Sequence, residues 1–207
     1  MNVRAIILAA GIGSRLGGIS KPLLKISGQT LIRRLIAELQ QAGIKDIVVV
    51  TGFESIRINQ EVSNLAVQTI HNPNFGNGNH QQSLELAIRA LPPDKDEIVM
   101  ICLADQVLLN QKAIHTLLAT YSNHPEYMAI IPTNSTRGDR GNPIITSSHH
   151  LMEALKAQPF DYKSYLEQHR QQVLRWPTDD PAYFFDLDSA EDIQSLQSEF
   201  GVTIEMN

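Results

Sequence analysis

Short apolar runs alternate along this chain with longer stretches in which apolar residues recur every three or four positions. Residues 3–9 are apolar almost throughout and predict a fully buried strand. Leu31, Leu35, Ile36, Leu39 and Ala42 then repeat at helical spacing, with Thr30 as a candidate N-cap and Gly43 just past the end. Asp-Ile-Val-Val-Val-Thr at 46–51 predicts a second buried strand. A weaker helix over 54–63 and a short strand over 67–70 follow. Ser83, Leu84, Ala87, Ile88 and Leu91 mark a further helix, stopped by Pro92 and Pro93. Residues 97–103 form a third long apolar strand, Ile114, Leu117 and Leu118 indicate another helix, and 128–131 a fourth strand.

Strands that are apolar on both faces and separated by helices predict an α/β fold. Its mostly parallel sheet would be covered by helices on both faces, a three-layer arrangement. From Ser135 the texture changes: residues 138–143 are rich in turn formers, and the helices from Ser148 onward are shorter and more polar. The last helix is expected near Ser189. This C-terminal third is read as an elaboration of the same sheet, so that 1–207 form one domain. Repeats and low-complexity segments are absent.

Composition narrows the function classes. With 43% hydrophobic and 19% charged residues, the chain has the balance of a folded protein. A net charge of −5 argues against a general nucleic-acid surface, which needs a basic face to neutralise phosphates. The single cysteine, Cys102, excludes an intramolecular disulfide and a cysteine-based zinc cluster, and as part of a buried strand it reads as a small core residue. Apolar residues 5–10 are too few for a signal peptide, and the glycines at 11 and 13 interrupt them. A spanning helix needs roughly 20 apolar residues, a length no segment reaches. The expectation is a soluble, cytoplasmic protein.

Gly11-Ile-Gly13-Ser-Arg15 leaves the first strand directly. Such turns let backbone N–H groups approach a phosphate, and Arg15 and Lys21 add fixed positive charge. A dinucleotide fingerprint would need glycine at position 16, which is Leu16. A Walker A loop fits no placement here. Two readings stay open: glycines that serve turn geometry alone, and a triphosphate loop served by Lys21.

Asp105 closes the apolar run of 98–104, and ligands in parallel sheets bind beyond the carboxyl ends of strands. It could also be structural, capping a turn. Asp186 and Asp188, two apart, would share one face of an extended segment. Asp188 or Ser189, followed three residues later by Glu191 or Asp192, also reads as a capping box. Asn79 and Ser83 lie four apart, at helical spacing, and could present polar groups to a ligand or cap the helix. His71, His149 and His150 have no partner at zinc spacing, and Trp176 is expected to pack at a loop.

Taken together, Leu8-Ala-Ala-Gly11-Ile-Gly13-Ser-Arg15-Leu-Gly17 with Lys21-Pro22 resembles the signature of MobA-like nucleotidyltransferases. The likeness continues through Asn79-His-Gln-Gln-Ser83, Leu103-Ala-Asp105-Gln106, Arg140-Gly-Asn-Pro143 and Asp186-Leu-Asp188-Ser-Ala-Glu-Asp192. Within that family the Ala-Ala-Gly form and the Arg-Gly-Asn-Pro loop resemble the molybdenum cofactor cytidylyltransferases. Val107, where relatives usually carry Pro, and the Asn79-His-Gln-Gln stretch depart from the pattern, which bears on base and acceptor identity.

The resemblance implies a Rossmann-like, GT-A-like nucleotidyltransferase fold and transfer of a nucleoside monophosphate to a phosphorylated small molecule. CTP is the favoured donor and molybdopterin the favoured acceptor. It implies that Leu8, Ala9, Ala10, Gly11, Gly13, Ser14, Arg15, Lys21, Asn79, Ser83 and Asp105 bind the nucleotide. Lys21, Arg15 and Asp105 would be catalytic, Arg140 and Asn142 would contact the acceptor, and Mg2+ would sit on Asp105 and Asp188, with Asp186 the alternative second ligand. Magnesium prefers hard carboxylate and phosphate oxygens, which suits such a pair. The rivals are transfer to a sugar or other alcohol phosphate, a non-catalytic nucleotide-binding regulator, and, more distantly, an NAD-dependent oxidoreductase.

Overall fold

The computed structural model describes residues 2–77, 80–92 and 97–205. In chain order it comprises β1 (Val3–Ala9), the small strands β2 (Lys25–Ile26) and β3 (Gln29–Thr30), α1 (Leu31–Gln41), β4 (Asp46–Thr51), α2 (Ser55–Val62), β5 (Gln68–His71) and α3 (His80–Arg89). There follow β6 (Ile98–Leu103), α4 (Gln111–Asn123), β7 (Ala129–Asn134), β8 (Ile144–Ser147), α5 (Ser148–Leu155), α6 (Tyr162–Gln168), β9 (Val173–Thr178) and α7 (Ala190–Phe200).

Seven strands form one sheet in the order β5-β4-β1-β6-β8-β7-β9. β5, β4, β1 and β6 run parallel, β8 is antiparallel to both its neighbours, and β9 is parallel to β7. The expected mostly parallel α/β sheet is therefore present, with β8 as its one reversed strand. β8 and β9 lie outside the strands that the hydrophobic pattern predicts. β8 has only four residues, and β9 (Val-Leu-Arg-Trp-Pro-Thr) contains a proline, which a sheet tolerates at an edge. β9 is that edge, and Trp176 sits on it, not on a loop. Its ring meets Tyr183 edge-on at 5.5 Å.

Alternation along the strands divides the core in two. Ala5, Ile7 and Ala9 of β1 face α1, α2 and α4, where Ile32, Ile36, Leu39 and Ile114 are fully enclosed. Ile6 and Leu8 face α3, α5 and α6. Cys102 is buried in the first of these layers. Thr30 is the N-cap residue of α1, but its hydroxyl donates to Glu61 at 3.1 Å instead of accepting from the helix. A third, smaller cluster of Leu16, Leu24, Ile26, Leu31, Val107, Leu187, Leu196 and Ile204 ties the segment after β1 to α7.

Register fixes where chemistry can occur. Ala9 pairs with Thr51 and Leu8 with Leu103, so β1, β4 and β6 end level with one another. The loops beginning at Ala10, Gly52 and Ala104 leave from one edge, where an α/β sheet holds ligands. At the opposite edge Arg4 binds Asp46 and lies 3.3 Å from Glu97, tying together the starts of the same three strands. Among the described residues no helix is long and apolar enough to cross a membrane.

Leu39, fully enclosed between α1 and the sheet, tests this packing. Leu39→Ala should cost about 2–5 kcal/mol, read as a lower urea midpoint with an unchanged m-value.

Candidate active site

β1 delivers the chain into a loop whose shape depends on Gly13. This residue has φ of 65°, and a Cβ there would lie 2.2 Å from the Ile19 carbonyl oxygen. Leu16 N–H and Gly18 N–H both donate to the Gly13 carbonyl, closing a compact turn over 13–18. Leu16 anchors the turn in the small apolar cluster, which leaves Ser14 and Arg15 outward. A second turn begins at Lys21, followed by Pro22, whose fixed φ and missing N–H are tolerated in the first turn of a helix. Lys21 thereby points its side chain inward, at 13% exposure.

The ammonium of Lys21 joins three distant segments. Its Nζ donates to Asp105 Oδ2 at 2.9 Å and makes a short contact with Asp188 Oδ1, while Arg15 donates to Asp188 Oδ2 at 2.7 Å. Burial alone would pull the Lys21 pKa down, but the two carboxylates overcome that and hold it above the ordinary lysine value. The bond from Lys21 holds Asp188 below the usual carboxylate range, with Arg15 and His80 adding to the effect. Asp186 behaves in the opposite way. Burial, reinforced by Asp105 and Asp188, pushes it up to about 7, and its Oδ1 is buried without a hydrogen bond.

Local structure explains the spacing of these carboxylates. Leu187 is fully buried in the small cluster, so Asp186 and Asp188 on either side both reach the cavity. Leu187 N–H also donates to the Asp105 carbonyl at 3.2 Å. The capping box forms with Ser189 as N-cap and Asp192 as its partner. Asp192 Oδ2 further accepts from Asp188 N–H at 2.8 Å, so capping fixes the backbone and leaves the Asp188 carboxylate to Lys21. Gln106, 4% exposed, accepts from Leu103 N–H and donates to the Asn142 carbonyl at 2.6 Å. It thereby sets the turn that carries Asp105.

These groups line a cavity of about 370 Å³ at the carboxyl edge of the sheet. Leu8, Ala9, Ala10, Gly11, Gly13, Ser14, Arg15, Lys21, Ser83 and Asp105 all border it, as do Asp186 and Asp188. Asn79 lies outside the described residues. Arg140 and Asn142 do not line the cavity. Arg140 pairs with Glu167 at 2.6 Å, and Asn142 is linked to the turn that carries Asp105 through Gln106.

Four contributors escaped the sequence reading. Phe75 and His80 line the cavity, Gln106 positions Asp105, and Asn72 donates to the Ser83 hydroxyl at 3.0 Å. Only the position of Asn72 in Asn72-Pro-Asn signalled a turn residue.

Among the described residues no group of three or more histidine, cysteine or acidic side chains is arranged to hold a metal. The donor chemistry nevertheless suits a hard divalent ion. Asp105 and Asp188 present carboxylate oxygens at one point, and Lys21 supplies the positive charge between them.

A sequence model of the family described as "MobA-like NTP transferase domain" matches residues 5–178. Among curated proteins the chain is similar to the CMP-5'-(3-aminopropyl)phosphonate synthase of Streptomyces rubellomurinus. The two are 26% identical over 186 residues, covering 84% of this chain and 28% of that protein. The chain spans less than a third of the length of the first curated relatives it matches. Among solved structures it resembles a nucleotidyl transferase from Methanothermobacter, with a TM-score of 0.76, 20% identity and coverage of 96% and 97% of the two chains. It also resembles a Mycobacterium tuberculosis protein solved in complex with manganese, with a TM-score of 0.68, 19% identity and coverage of 95% and 98%. Both structural likenesses establish the fold, a mostly parallel sheet flanked by helices.

Asp186 gives the site a stability signature. It keeps its proton to about pH 7 in the folded chain but releases it near 3.8 when unfolded. The folded state therefore binds more protons between those values, and stability contributed by this group falls as pH rises through that window. Asp186→Asn, which stays neutral, should remove that fall and be more stable than wild type near neutral pH. Urea denaturation of both proteins from pH 4 to 8 without divalent metal checks this. Parallel pH profiles would count against it.

Proposed function

The chain belongs to the MobA-like NTP transferase domain family, and on that premise we propose that residues 1–207 form one nucleotidyltransferase domain. It transfers a nucleoside monophosphate from a triphosphate to a phosphorylated small molecule and releases pyrophosphate. The observation that carries this reading is the Lys21 ammonium, held by Asp105 and Asp188 beneath a glycine turn at the strand ends.

An acceptor phosphate oxygen attacks the α-phosphorus in line. The bond from that phosphorus to the bridging oxygen of the β-phosphate breaks, and its electrons leave with pyrophosphate. Positioning and charge neutralisation dominate such a transfer, so no covalent nucleophile is needed. Lys21 and Arg15 turn from the carboxylates to the phosphates, and the loop amides around Gly11 and Gly13 add donors. Asp105 and Asp188 would hold Mg2+, which when bound neutralises phosphate charge. The low pKa of Asp188 supports it over Asp186 as the anionic second ligand. The manganese in the similar mycobacterial structure is consistent with a divalent ion in this fold.

For the substrates, CTP with molybdopterin is the pair we favour. Ala9 and Ala10 have the smallest side chains that still line a strand end, leaving room for a base against the backbone. A relative over 84% of the chain also carries CMP in its product name. Arg140 and Asn142 are the proposed acceptor contacts. Asn142 is already tied to the Asp105 turn through Gln106, while Arg140 would exchange Glu167 for the acceptor.

Pyrophosphate release should be measured for each common triphosphate against a pterin phosphate, a sugar 1-phosphate and a simple alcohol phosphate. Release with CTP and the pterin alone supports the favoured pair, and release with another acceptor reassigns it. Nucleotide binding with no release from any pair would favour a regulator. Lys21→Ala should lower turnover on the working pair by about 10²–10³-fold, the loss seen on removing one group that stabilises transition-state charge, while circular dichroism still reports the folded α/β structure at the assay temperature. Unchanged turnover would sink the assignment.

A further inference from the structure

The cavity is charged around Lys21 and apolar around Ala9, Ala10 and Phe75. Among the described residues Phe75 is the only carbocyclic aromatic side chain that lines it. A core phenylalanine would be enclosed on every side, whereas Phe75 is half-buried and borders open space.

Three restraints hold it there. Gly52 lies beneath it, and a Cβ at that position would stand 2.5 Å from Phe75 Cβ, 2.8 Å from Ala10 Cβ and 2.9 Å from the Ala10 carbonyl oxygen. The missing methyl is what lets Phe75 close onto the end of β1. Phe53 braces the ring from the side, at 6.3 Å between centroids and a tilt of 50°. The preceding turn is fixed by Asn72, whose N–H donates to the Thr51 carbonyl and whose Oδ1 accepts from Asn74 N–H. A ring braced in this way presents its contact surface without losing further freedom on binding, which favours affinity.

We propose that Phe75 is the surface on which the nucleobase of the triphosphate stacks, and that Gly52 is the positioning residue that sets the ring against Ala10. The inference rests on the nucleotidyltransferase reading of the cavity and adds a residue to it. Every base has a π face, so the stack contributes affinity without choosing a base. Discrimination is left to groups at the edges, such as the Ser83 hydroxyl.

The test is calorimetric titration of the four common ribonucleoside triphosphates, and of inorganic tripolyphosphate as a base-free probe, in magnesium buffer. Phe75→Ala should weaken every nucleoside triphosphate by roughly ten- to a hundredfold, the range for loss of one base–aromatic stack. Binding of tripolyphosphate should stay within about twofold of wild type by the same reasoning. Phe75→Trp should keep nucleotide affinity near wild type. Phe75→Leu, which keeps apolar bulk in case the alanine variant folds poorly, should show the same base-dependent loss. Gly52→Ala should do so as well, by displacing the ring.

Equal weakening of nucleotide and tripolyphosphate overturns the proposal, because that is what a merely structural residue produces. So does wild-type nucleotide affinity in Phe75→Leu, or a tryptophan variant as weak as leucine. If wild type binds neither nucleotide nor tripolyphosphate, the nucleotide reading itself fails, a result distinct from any of these.

Discussion

The ion-pair cluster on Lys21 is the interaction around which the rest of the molecule is organised. Its partners lie 84 and 167 residues away along the chain, so the cluster exists only when the sheet, the glycine turn and the start of α7 are all in place. Lys21 and Asp105 are partly sheltered from water, where charge is costly unless paired. Removing the ammonium would leave Asp105 and Asp188 facing each other and the buried Asp186. A like-charge group of that kind is unfavourable by itself, and Asp186 already answers it by holding its proton to about pH 7.

Each surrounding element can be understood as a means of keeping that cluster in register. Parallel pairing of β1 with β4 and β6 brings their ends level, so Ala10 and Ala104 leave the sheet side by side. The small apolar cluster then fastens Leu16, Leu24 and Leu187 together, one residue each from the glycine turn, the lysine turn and the aspartate segment. None of these contacts is polar, yet together they determine where four charged side chains meet. Gln106 and Asp192 complete the arrangement by hydrogen bonds to backbone, which fix main-chain direction without spending charge inside the site.

This division also explains what the sequence revealed. Buried parallel strands are apolar on both faces, so β1, β4 and β6 were legible from their runs alone, and glycines next to a strand end with Arg15 and Lys21 pointed to an anion. Asp105 was legible because it follows an apolar run, and the Asp186–Asp188 pair because alternation in an extended segment places both on one face. What escaped depends on tertiary neighbours. β8 has four residues and no distinctive period, and β9 contains a proline that only its edge position permits. Gln106 looks like any polar turn residue until Leu103 and Asn142 are brought to it. Phe75 resembles a core aromatic until the cavity beside it is seen, and Gly52 resembles an ordinary turn glycine until Ala10 and Phe75 are found pressing on its missing side chain.

The overall charge of −5 hides the opposing fields at this edge of the sheet. Three aspartates, one lysine and one arginine are gathered there, and their sum is −1 if all are ionised and zero while Asp186 holds its proton. A near-neutral cluster of fixed charges costs little to keep folded, since each sign screens the other. The same pairing constrains the proposed reaction. An ammonium that turns to the phosphates of a triphosphate leaves two carboxylates without their counter-charge, and those carboxylates would then face an anionic substrate across a few ångströms. A divalent cation held by Asp105 and Asp188 would answer both needs, supplying those carboxylates with the positive charge that Lys21 and Arg15 give to the phosphates. On this view the lysine serves the folded protein and the proposed chemistry in turn, which is why one residue carries so many of the contacts at the site.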